Sequence, residues 1–333
     1  MPDKPVVYIS PGHMDPEYTL EKAGLGPDVD LRVMQSPERG YMDGASTREA
    51  DAIMTWRTRI DAKAIDQLER CKLIVRLGVG YDFVDIEAAA RKGIPVANVP
   101  DYCTNEVADH TMALLLSITR GLPAYVDSVK QAANRWEWSA AGRLFRMTGK
   151  TLGIIGLGRI GTAVALRAKA FGVDVAFYDP YIRDGMERSL GLRRLELDEL
   201  LAQADYLTLH TPLTDLTRGM VNSDFLAKIK HGAYIVNTSR GGVLDAHALE
   251  IALREGRVAA AALDVMPTEP PDPELGLVKA WRTSEEWINH RLIVTPHSAF
   301  YSEEGEVDMR VKATKCVREV LDGLPARNVV NMG

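Results

Sequence analysis

The stretch TLGIIGLGRIGTAVALRAKAFGVDVAFYDP, residues 151–180, decides the fold of this chain. An apolar run is followed by a glycine-rich turn, a helical pattern and a second apolar run that ends at Asp179. Glycines also mark ordinary turns, but this order of strand, turn, helix, strand and acidic residue is typical of dinucleotide-binding units. The stretch therefore predicts a parallel α/β sheet that binds a dinucleotide.

Each glycine of the turn has a physical reason. Gly156 permits the tight turn, Gly158 lets the backbone approach a pyrophosphate, and Gly161 lets the helix pack closely on the strand. The free N–H groups at the start of the helix then meet phosphate oxygens. Asp179 can accept hydrogen bonds from ribose hydroxyls and would repel a 2′-phosphate, so we predict NAD rather than NADP as the cofactor.

The composition is that of an ordinary globular protein. The chain has 333 residues, of which 46% are hydrophobic and 26% charged, and its net charge is -6 at pH 7. This length favours two domains, and the negative charge argues against a general nucleic-acid binder. Cys71, Cys103 and Cys316 show neither zinc spacing nor a disulfide framework, so we expect no metal site and reduced, buried thiols.

The N-terminal sequence and the apolar runs indicate where in the cell the protein is found. The N-terminal sequence MPDKPVVYIS lacks the basic start and long apolar stretch of a secretory signal. No run approaches the roughly 18–20 apolar residues that span a bilayer. We therefore expect a cytoplasmic protein without a membrane partner.

The first hundred residues alternate apolar, β-branched runs with helical stretches. The predicted strands cover 6–9, 31–34, 52–56 and 73–76, and the predicted helices cover 62–70 and 85–92. Strands that alternate with helices indicate a parallel sheet with helices on its faces. These residues are therefore expected to form an α/β domain of their own.

The rest of the chain begins with helices and then returns to alternation. The predicted helices cover 104–120, 123–136 and 303–321, and the predicted strands after residue 180 cover 206–210, 233–237, 259–265 and 292–295. Trp136 and Trp138 are interpreted as packing residues, either in the core or against another subunit. An aromatic arm at this place would suit a dimer contact.

Polar and charged residues follow the ends of the predicted strands in this part of the chain. They are Asp179, Thr211, Arg240, Asp264, Glu269 and His297. Ligands of open α/β sheets bind beyond the carboxyl ends of the strands. We therefore expect these residues, although far apart in sequence, to meet at one edge of the sheet.

Three of them have the chemistry of a nicotinamide enzyme that acts on a hydroxy acid. Arg240 can bind a carboxylate bidentately, although a surface salt bridge is the alternative. His297 can exchange a proton near neutral pH, whereas His110 and His210 are interpreted as structural or secondary contacts. Glu269 can orient the histidine as the carboxylate of a triad does, and an ordinary loop acid is an equal alternative.

Together with Asp179, the motifs GLGRIG, NTSRGG, ALDVMPTEP and TPHSA resemble the D-isomer-specific 2-hydroxyacid dehydrogenases over essentially the whole chain. Within that family, residues 151–192 and 295–310 are most similar to the C-terminal-binding-protein corepressors. The resemblance implies an α/β fold of two doubly wound parallel sheets. A Rossmann NAD-binding domain (103–298) would be inserted into a flavodoxin-like substrate domain (1–102 and 299–333), with hinges near 100–103 and 298–301.

The resemblance also implies roles for individual residues. Arg240, Glu269 and His297 match the catalytic set, in which the histidine protonates the keto oxygen while NADH delivers hydride. The cofactor-binding positions, including the glycines of the turn, are Val79, Gly156, Gly158, Arg159, Ile160, Gly161, Asp179, Thr211, Thr238, Ser239 and Asp264. The positions expected to face the substrate are Arg76, Gly78, Val79, Gly80, Trp56, Arg57 and Phe300.

Two departures from the corepressors concern the substrate. Phe300 stands where they carry a tryptophan, and Thr55-Trp56-Arg57 replaces their histidine-bearing loop. A cation at Arg57 or Arg59 could suit a more acidic or phosphorylated substrate. Both arginines could equally be solvated, and the sequence favours neither interpretation.

The predicted function is an NAD-dependent D-2-hydroxyacid dehydrogenase that works mainly as a 2-ketoacid reductase, in a homodimer formed through the NAD domain. The alternative is a corepressor-like module in which NAD switches dimerisation and catalysis is vestigial. The presence of Arg240, Glu269 and His297 together favours the enzyme.

Overall fold

The computed structural model describes residues 4–12, 15–35, 40–131 and 136–332. The chain folds as two compact units, one of Met1–Cys103 with Ser302–Gly333 and one of Thr104–Tyr301. The second unit is thus an insertion in the first. The domain limits expected from the sequence, after residues 102 and 298, lie one and three residues before these bounds.

The first unit is built on a five-stranded parallel sheet. Its strands are β1 (Val6–Ile9), β2 (Asp30–Val33), β3 (Ala52–Thr55), β4 (Leu73–Arg76) and β5 (Val96–Asn98). Its first three helices are α1 (Thr19–Leu25), α2 (Ala62–Gln67) and α3 (Ile86–Arg91). The strand order β2-β1-β3-β4-β5 is that of a flavodoxin-like, doubly wound sheet.

The second unit is built on a seven-stranded parallel sheet. Its strands are β6 (Thr151–Ile155), β7 (Asp174–Tyr178), β8 (Arg193–Arg194), β9 (Tyr206–Leu209), β10 (Ala233–Asn237), β11 (Val258–Leu263) and β12 (Leu292–Val294). Its helices are α4 (Thr104–Thr119), α5 (Leu122–Gln131), α6 (Arg159–Lys169), α7 (Met186–Leu190), α8 (Leu197–Gln203), α9 (Ser223–Lys228), α10 (Ala246–Arg254) and α11 (Gly276–Arg282). The order β12-β11-β10-β9-β6-β7-β8 is a Rossmann order with one further strand at the edge, so the predicted fold class is confirmed.

The structure corrects several predicted elements. Strands β5 and β8 were not expected, because β5 has only two apolar residues in a row and β8 has none. The helix expected over 62–70 ends at Gln67, since Leu68 adopts an extended backbone. The helix expected over 123–136 is present as α5 over Leu122–Gln131, and residues 132–135 lie outside the described part of the chain.

The tryptophans after α5 are exposed. Trp136 is 82% exposed and Trp138 is 83% exposed, so the interpretation that they pack in the core is wrong. The preceding helix also exposes apolar side chains at Leu122, Val126 and Val129. Packing of these tryptophans against another subunit stays a prediction.

The last helix, α12 (Glu303–Leu321), belongs to the first unit and is held there by buried charges. Arg310, which is 4% exposed, donates to both carboxylate oxygens of the fully buried Glu21 on α1, each at 2.7 Å. It also donates to Asp15 at 2.9 Å, and this hydrogen bond lowers the pKa of Asp15 to about 2. The two termini of the chain are thereby joined in one unit.

Two features are absent from the part of the chain that the structure describes. No helix there is long and apolar enough to cross a membrane. No group of three or more histidine, cysteine, aspartate or glutamate side chains is placed to hold a metal ion.

We expect Arg310→Met to lower the free energy of unfolding by about 3–5 kcal/mol, because it leaves the buried carboxylate of Glu21 without a partner. Lys312→Met on the same helix is the control, since Lys312 pairs with Asp101 and Asp308 at the surface and such pairs contribute about 1 kcal/mol or less. Urea unfolding of both variants measures the difference. Equal decreases in the free energy of unfolding of the two variants would show that the buried ion pairs of Arg310 stabilise the protein no more than the surface pairs of Lys312.

Candidate active site at the carboxyl ends of the second sheet

Six strands of the second sheet end in one row. Their last residues, paired in register from β7 across to β12, are Tyr178, Ile155, Leu209, Asn237, Leu263 and Val294. Every site residue predicted in this unit follows one of these residues by six positions or fewer. The register therefore brings the predicted cofactor and catalytic residues to one edge of the sheet.

The glycine turn between β6 and α6 is tightly packed at two of its glycines and open at the third. Gly156 has a φ of +91°, and a Cβ there would lie 2.7 Å from the carbonyl oxygen of His210. A Cβ on Gly161 would lie 2.1 Å from the carbonyl oxygen of Gly156. A Cβ on Gly158 would meet nothing within 4 Å, so open space lies beside the start of α6.

Two polar groups beside this turn have the chemistry that a dinucleotide requires. Asp179 accepts hydrogen bonds from the backbone N–H groups of Leu157 (2.8 Å) and Tyr181 (2.9 Å), which fix its carboxylate. Its remaining lone pairs can accept from ribose hydroxyls. The buried hydroxyl of Thr211 has no hydrogen-bond partner among the described residues. The open space, the oriented carboxylate and the unpaired hydroxyl fit NAD.

His210, which lies against the glycine turn, stays uncharged at neutral pH. Burial of its ring lowers the pKa of His210 to about 3. Its Nε2 lies 2.9 Å from the hydroxyl of the fully buried Thr208. With its carbonyl packed against Gly156, His210 supports the glycine turn, in agreement with its interpretation as a structural histidine.

His297 and Glu269 are in direct contact. Nδ1 of His297 lies 2.7 Å from Oε2 of Glu269, whose Oε1 accepts a hydrogen bond from the N–H of Met266 at 3.2 Å. An ionised carboxylate only accepts hydrogen bonds, so Nδ1 carries a proton and Nε2 is the nitrogen left for other partners. His297 has a φ of +53°, a left-handed conformation that is uncommon for a residue with a side chain.

Glu269 is held in its charged form. Burial raises its pKa, but the hydrogen bond and charge of His297, the N–H of Met266 and the charge of Arg240 outweigh burial, so the pKa is lowered overall. Glu269 is therefore ionised at neutral pH. The opposite charges of Arg240 and Glu269 meet at this end of the sheet.

The Arg240 loop is organised by Asn237, a residue that the sequence analysis missed. The side-chain oxygen of Asn237 accepts from the N–H and hydroxyl of Ser239, and its amide donates to the carbonyl of Arg240 at 3.0 Å. Asn237 is fully buried. A polar residue at the end of an apolar strand was the signal that could have identified it.

Gly241 is required by the packing of two loops against each other. A Cβ on Gly241 would lie 1.9 Å from the carbonyl oxygen of Met266. Its missing side chain therefore lets the Arg240 loop pack on the loop that carries Glu269.

Asp264 holds the loop that carries His297. The carboxylate is 1% exposed and accepts from the hydroxyl of Thr295 (2.6 Å) and the backbone N–H groups of Ser298 (2.9 Å) and Ala299 (3.0 Å). Its predicted contact with the nicotinamide stays a prediction. On the same loop, the ring of Phe300 packs edge-on against His297, with ring centroids 6.2 Å apart.

The remaining predicted residues lie in the first unit, after β3 and β4. Arg76 is 7% exposed, and its Nη1 donates to the carbonyl of Leu77 at 2.7 Å. That nitrogen lies 1.2 Å from where a Cβ of Gly78 would be, and Gly78 has a φ of +139°, so a side chain there would be strained and would displace the guanidinium. The carbonyl of Val79 accepts from the side chain of Asn98 at 2.6 Å, and Gly80 follows it.

Two arginines of this unit are exposed beside aromatic rings. The guanidinium of Arg57 lies 4.8 Å from the ring of Trp56, and that of Arg59 lies 4.9 Å from the ring of Phe83. The guanidinium of Arg76 lies 5.8 Å from the centroid of the same Phe83 ring. Within the described ranges, no ion pair joins Arg57 or Arg59 to a carboxylate.

Comparison with known proteins decides the family. Residues 112–299 match the family model of the D-isomer specific 2-hydroxyacid dehydrogenase, NAD binding domain. The chain belongs to this family. The match covers most of the second unit and includes every cofactor position predicted there, and the prediction of NAD as the cofactor is confirmed at the level of the family.

Individual members of the family resemble the chain over nearly its whole length. It is 40% identical over 332 residues to the D-3-phosphoglycerate dehydrogenase of Methanocaldococcus jannaschii, and 37% identical over 314 residues to that of Mycobacterium bovis. These alignments cover 98% and 93% of this chain but only 59% and 56% of the relatives. The crystal structure of a D-lactate dehydrogenase from Aquifex aeolicus, complexed with NAD and lactic acid, matches with a TM-score of 0.81 and 28% identity over 96% of each chain.

Two alanine substitutions separate the packing glycine from the open one. We expect Gly161→Ala to lower the free energy of unfolding by about 1–3 kcal/mol, because its Cβ collides with backbone. Gly158→Ala should leave stability within about 0.5 kcal/mol of the wild type. It should nevertheless weaken NADH binding by about tenfold, or 1.4 kcal/mol, since the methyl group enters the open space. Urea unfolding measures stability, and NADH fluorescence titration measures affinity. If Gly158→Ala bound NADH as tightly as the wild type, the pyrophosphate would have to bind elsewhere.

Proposed function

We propose that this chain is an NAD-dependent D-2-hydroxyacid dehydrogenase that works mainly as a 2-ketoacid reductase. We assign catalysis to Arg240, Glu269 and His297. The observation that supports this most directly is the 2.7 Å contact between His297 and the ionised Glu269, at the same sheet edge as the glycine turn. A histidine held by a carboxylate is the arrangement that general acid–base catalysis uses.

Glu269, His297 and Arg240 have separate roles in the proposed reaction. NAD supplies the hydride acceptor, and NADH the hydride donor. Glu269 accepts the hydrogen bond from Nδ1 of His297, which leaves Nε2 to give a proton to the keto oxygen or to take one from the hydroxyl. The charge of Glu269 stabilises the protonated ring. Arg240 binds the substrate carboxylate and polarises the adjacent carbonyl.

We assign the cofactor to the second unit and substrate selection to the first. The roles of Arg76, Gly78, Val79 and Gly80 toward the substrate stay predictions, as do those of Trp56 and Phe300. The exposed guanidiniums of Arg57 and Arg59 support an acidic or phosphorylated 2-keto acid, because neither is neutralised by a carboxylate in the described part of the chain. Two relatives named above are D-3-phosphoglycerate dehydrogenases, which supports the same class.

The corepressor-like module is the weaker candidate. None of the relatives described above is a corepressor, and the intact pair of His297 and Glu269 favours an enzyme. The similarity of residues 151–192 to that branch stays a prediction. Binding of short linear peptide motifs by the purified protein would support it.

We further propose a homodimer formed through the second unit. Trp136, Trp138 and the apolar side chains on α5 are exposed, and a second copy of the chain would cover them. Light scattering of the purified protein measures its molar mass, which should be twice that of one chain. The cytoplasmic location and the absence of a nucleic-acid partner stay predictions.

The experiment that tests the function is NADH oxidation against a panel of 2-keto acids. The panel contains glyoxylate, hydroxypyruvate, phosphohydroxypyruvate, phenylpyruvate, and branched or sulfur-bearing keto acids. Turnover of one of them supports the enzyme, and a preference for phosphohydroxypyruvate that Arg57→Ala removes supports the phosphorylated class. Tight NADH binding without turnover across the panel would count against the proposal.

The catalytic assignment predicts a separation of turnover from cofactor binding. We expect His297→Ala to lower kcat by about 10²- to 10⁴-fold, because it removes the proton donor. Its NADH affinity should stay close to that of the wild type. Glu269→Gln should lower kcat less than His297→Ala does, because the amide oxygen of glutamine still accepts a hydrogen bond from Nδ1, although it lacks the charge. Stopped-flow assays and NADH titration measure these effects, and full activity of His297→Ala would place the acid elsewhere.

Asp179 predicts selectivity for the cofactor. A hydrogen bond to a charged group contributes about 1.5–3 kcal/mol, so NADH should exceed NADPH by roughly tenfold to a hundredfold in kcat/KM. Asp179→Asn should narrow this ratio, because it removes the charge that repels a 2′-phosphate. Comparable wild-type activity with both cofactors would contradict the prediction.

A further inference from the structure

Three polar side chains, none of which the proposed mechanism uses, link helix α4 to the loop that carries His297. Nε2 of His110 lies 3.1 Å from the hydroxyl of Thr295. That hydroxyl lies 2.6 Å from Oδ1 of Asp264. His110 itself is 3.7 Å from the same carboxylate oxygen, too far for a direct hydrogen bond.

The direction of each hydrogen bond follows from the number of protons available. A carboxylate only accepts, so the single proton of the Thr295 hydroxyl goes to Asp264. The oxygen of Thr295 must then accept from His110, which therefore carries a proton on Nε2. The link runs as a directed chain from the helix to the buried carboxylate.

Asp264 holds the His297 loop through both its side chain and its backbone carbonyl. Its side chain accepts from the N–H groups of Ser298 and Ala299, and its backbone carbonyl accepts from the N–H of His297 at 2.8 Å. His297 lies between these anchors with a φ of +53°. Such a conformation persists only where the surrounding contacts over-determine it.

The neighbouring residue on α4 restrains the other catalytic loop. The hydroxyl of Thr111 donates to the carbonyl of Val107 at 2.7 Å, so the hydroxyl of Thr238, 2.8 Å away, must donate to Thr111. Thr238 begins the loop that carries Arg240. Two consecutive residues of one helix thus hold the loops of the proposed base and the proposed arginine.

We propose that His110 is a positioning residue that, through Thr295 and Asp264, fixes the loop and ring placement of His297, while Thr111 does the same for the Arg240 loop through Thr238. This inference rests on the proposed catalytic roles of His297 and Arg240. It assigns His110 a role through Thr295 and Asp264 rather than through contact with the substrate or the cofactor.

The kinetic test uses a matched pair of substitutions at the middle of the chain. Thr295→Val keeps the shape of the side chain but removes the hydroxyl, whereas Thr295→Ser keeps the hydroxyl. We expect the valine variant to lose about 10- to 100-fold in kcat with little change in KM for NADH, because a misplaced base slows chemistry more than binding. The serine variant should stay close to the wild type. Equal rates for the valine variant and the wild type would overturn the proposal.

Substitutions at His110 provide a second pair if Thr295→Val does not fold. His110→Gln keeps an N–H donor near the position of Nε2, and His110→Leu does not. We expect the glutamine variant to retain more kcat than the leucine variant. A leucine variant as active as the wild type would contradict the inference.

Two further measurements do not depend on turnover. Nitrogen-15 NMR of labelled histidine should show His110 protonated at Nε2. Hydrogen exchange of the peptide that contains Ser298 and Ala299 should be faster in Thr295→Val than in Thr295→Ser. If the wild type reduced no keto acid, the proposed function would fail, while these two measurements would still decide the network. Protonation of His110 at Nδ1 only, or unchanged exchange in the valine variant, would refute the network itself.

Discussion

The second unit depends on the register of its parallel strands. Backbone hydrogen bonds align the last residues of six strands, from Tyr178 on β7 to Val294 on β12, in a single row. Because all six strands run in the same direction, every loop that follows them leaves the sheet at the same edge. A glycine turn, an arginine loop and a histidine loop, which are spread over residues 156–297, are thereby brought to one place.

Polar side chains at or just beyond that row, of which Asn237 and Asp264 are buried and Asp179 is half-buried, convert the edge into an ordered site. Asp179 fixes the glycine turn, Asn237 fixes the Arg240 loop, and Asp264 fixes the His297 loop, each by accepting backbone N–H groups. Unpaired groups at these depths would cost free energy, so each loop is held in one conformation by the need to satisfy them. Among the residues that the structure describes, Nε2 of His297 takes part in no hydrogen bond, which leaves it available for proton exchange.

The first unit depends on a different constraint, because its helix α12 comes from the far end of the chain. The buried contact of Arg310 with Glu21 joins α12 to α1 and completes the unit around its five-stranded sheet. At the carboxyl ends of β3 and β4, the guanidinium of Arg76 occupies the space that Gly78 leaves open. The cationic character of that edge is a property of the unit itself, and it is consistent with an acidic ligand.

The sequence alone determined the fold class and the residues of the candidate site, because both follow from local patterns. Glycine spacing, apolar runs and the polar residue after each run are readable along the chain, and Gly156, Asp179 and His297 were identified in this way. Only the tertiary structure decided what depends on distant partners: the exposure of Trp138, the packing of Gly241 on Met266, and the link from His110 to Thr295. That link joins residues 185 positions apart. No local pattern can encode it, because the register of strands that are themselves far apart in sequence sets the distance between its atoms.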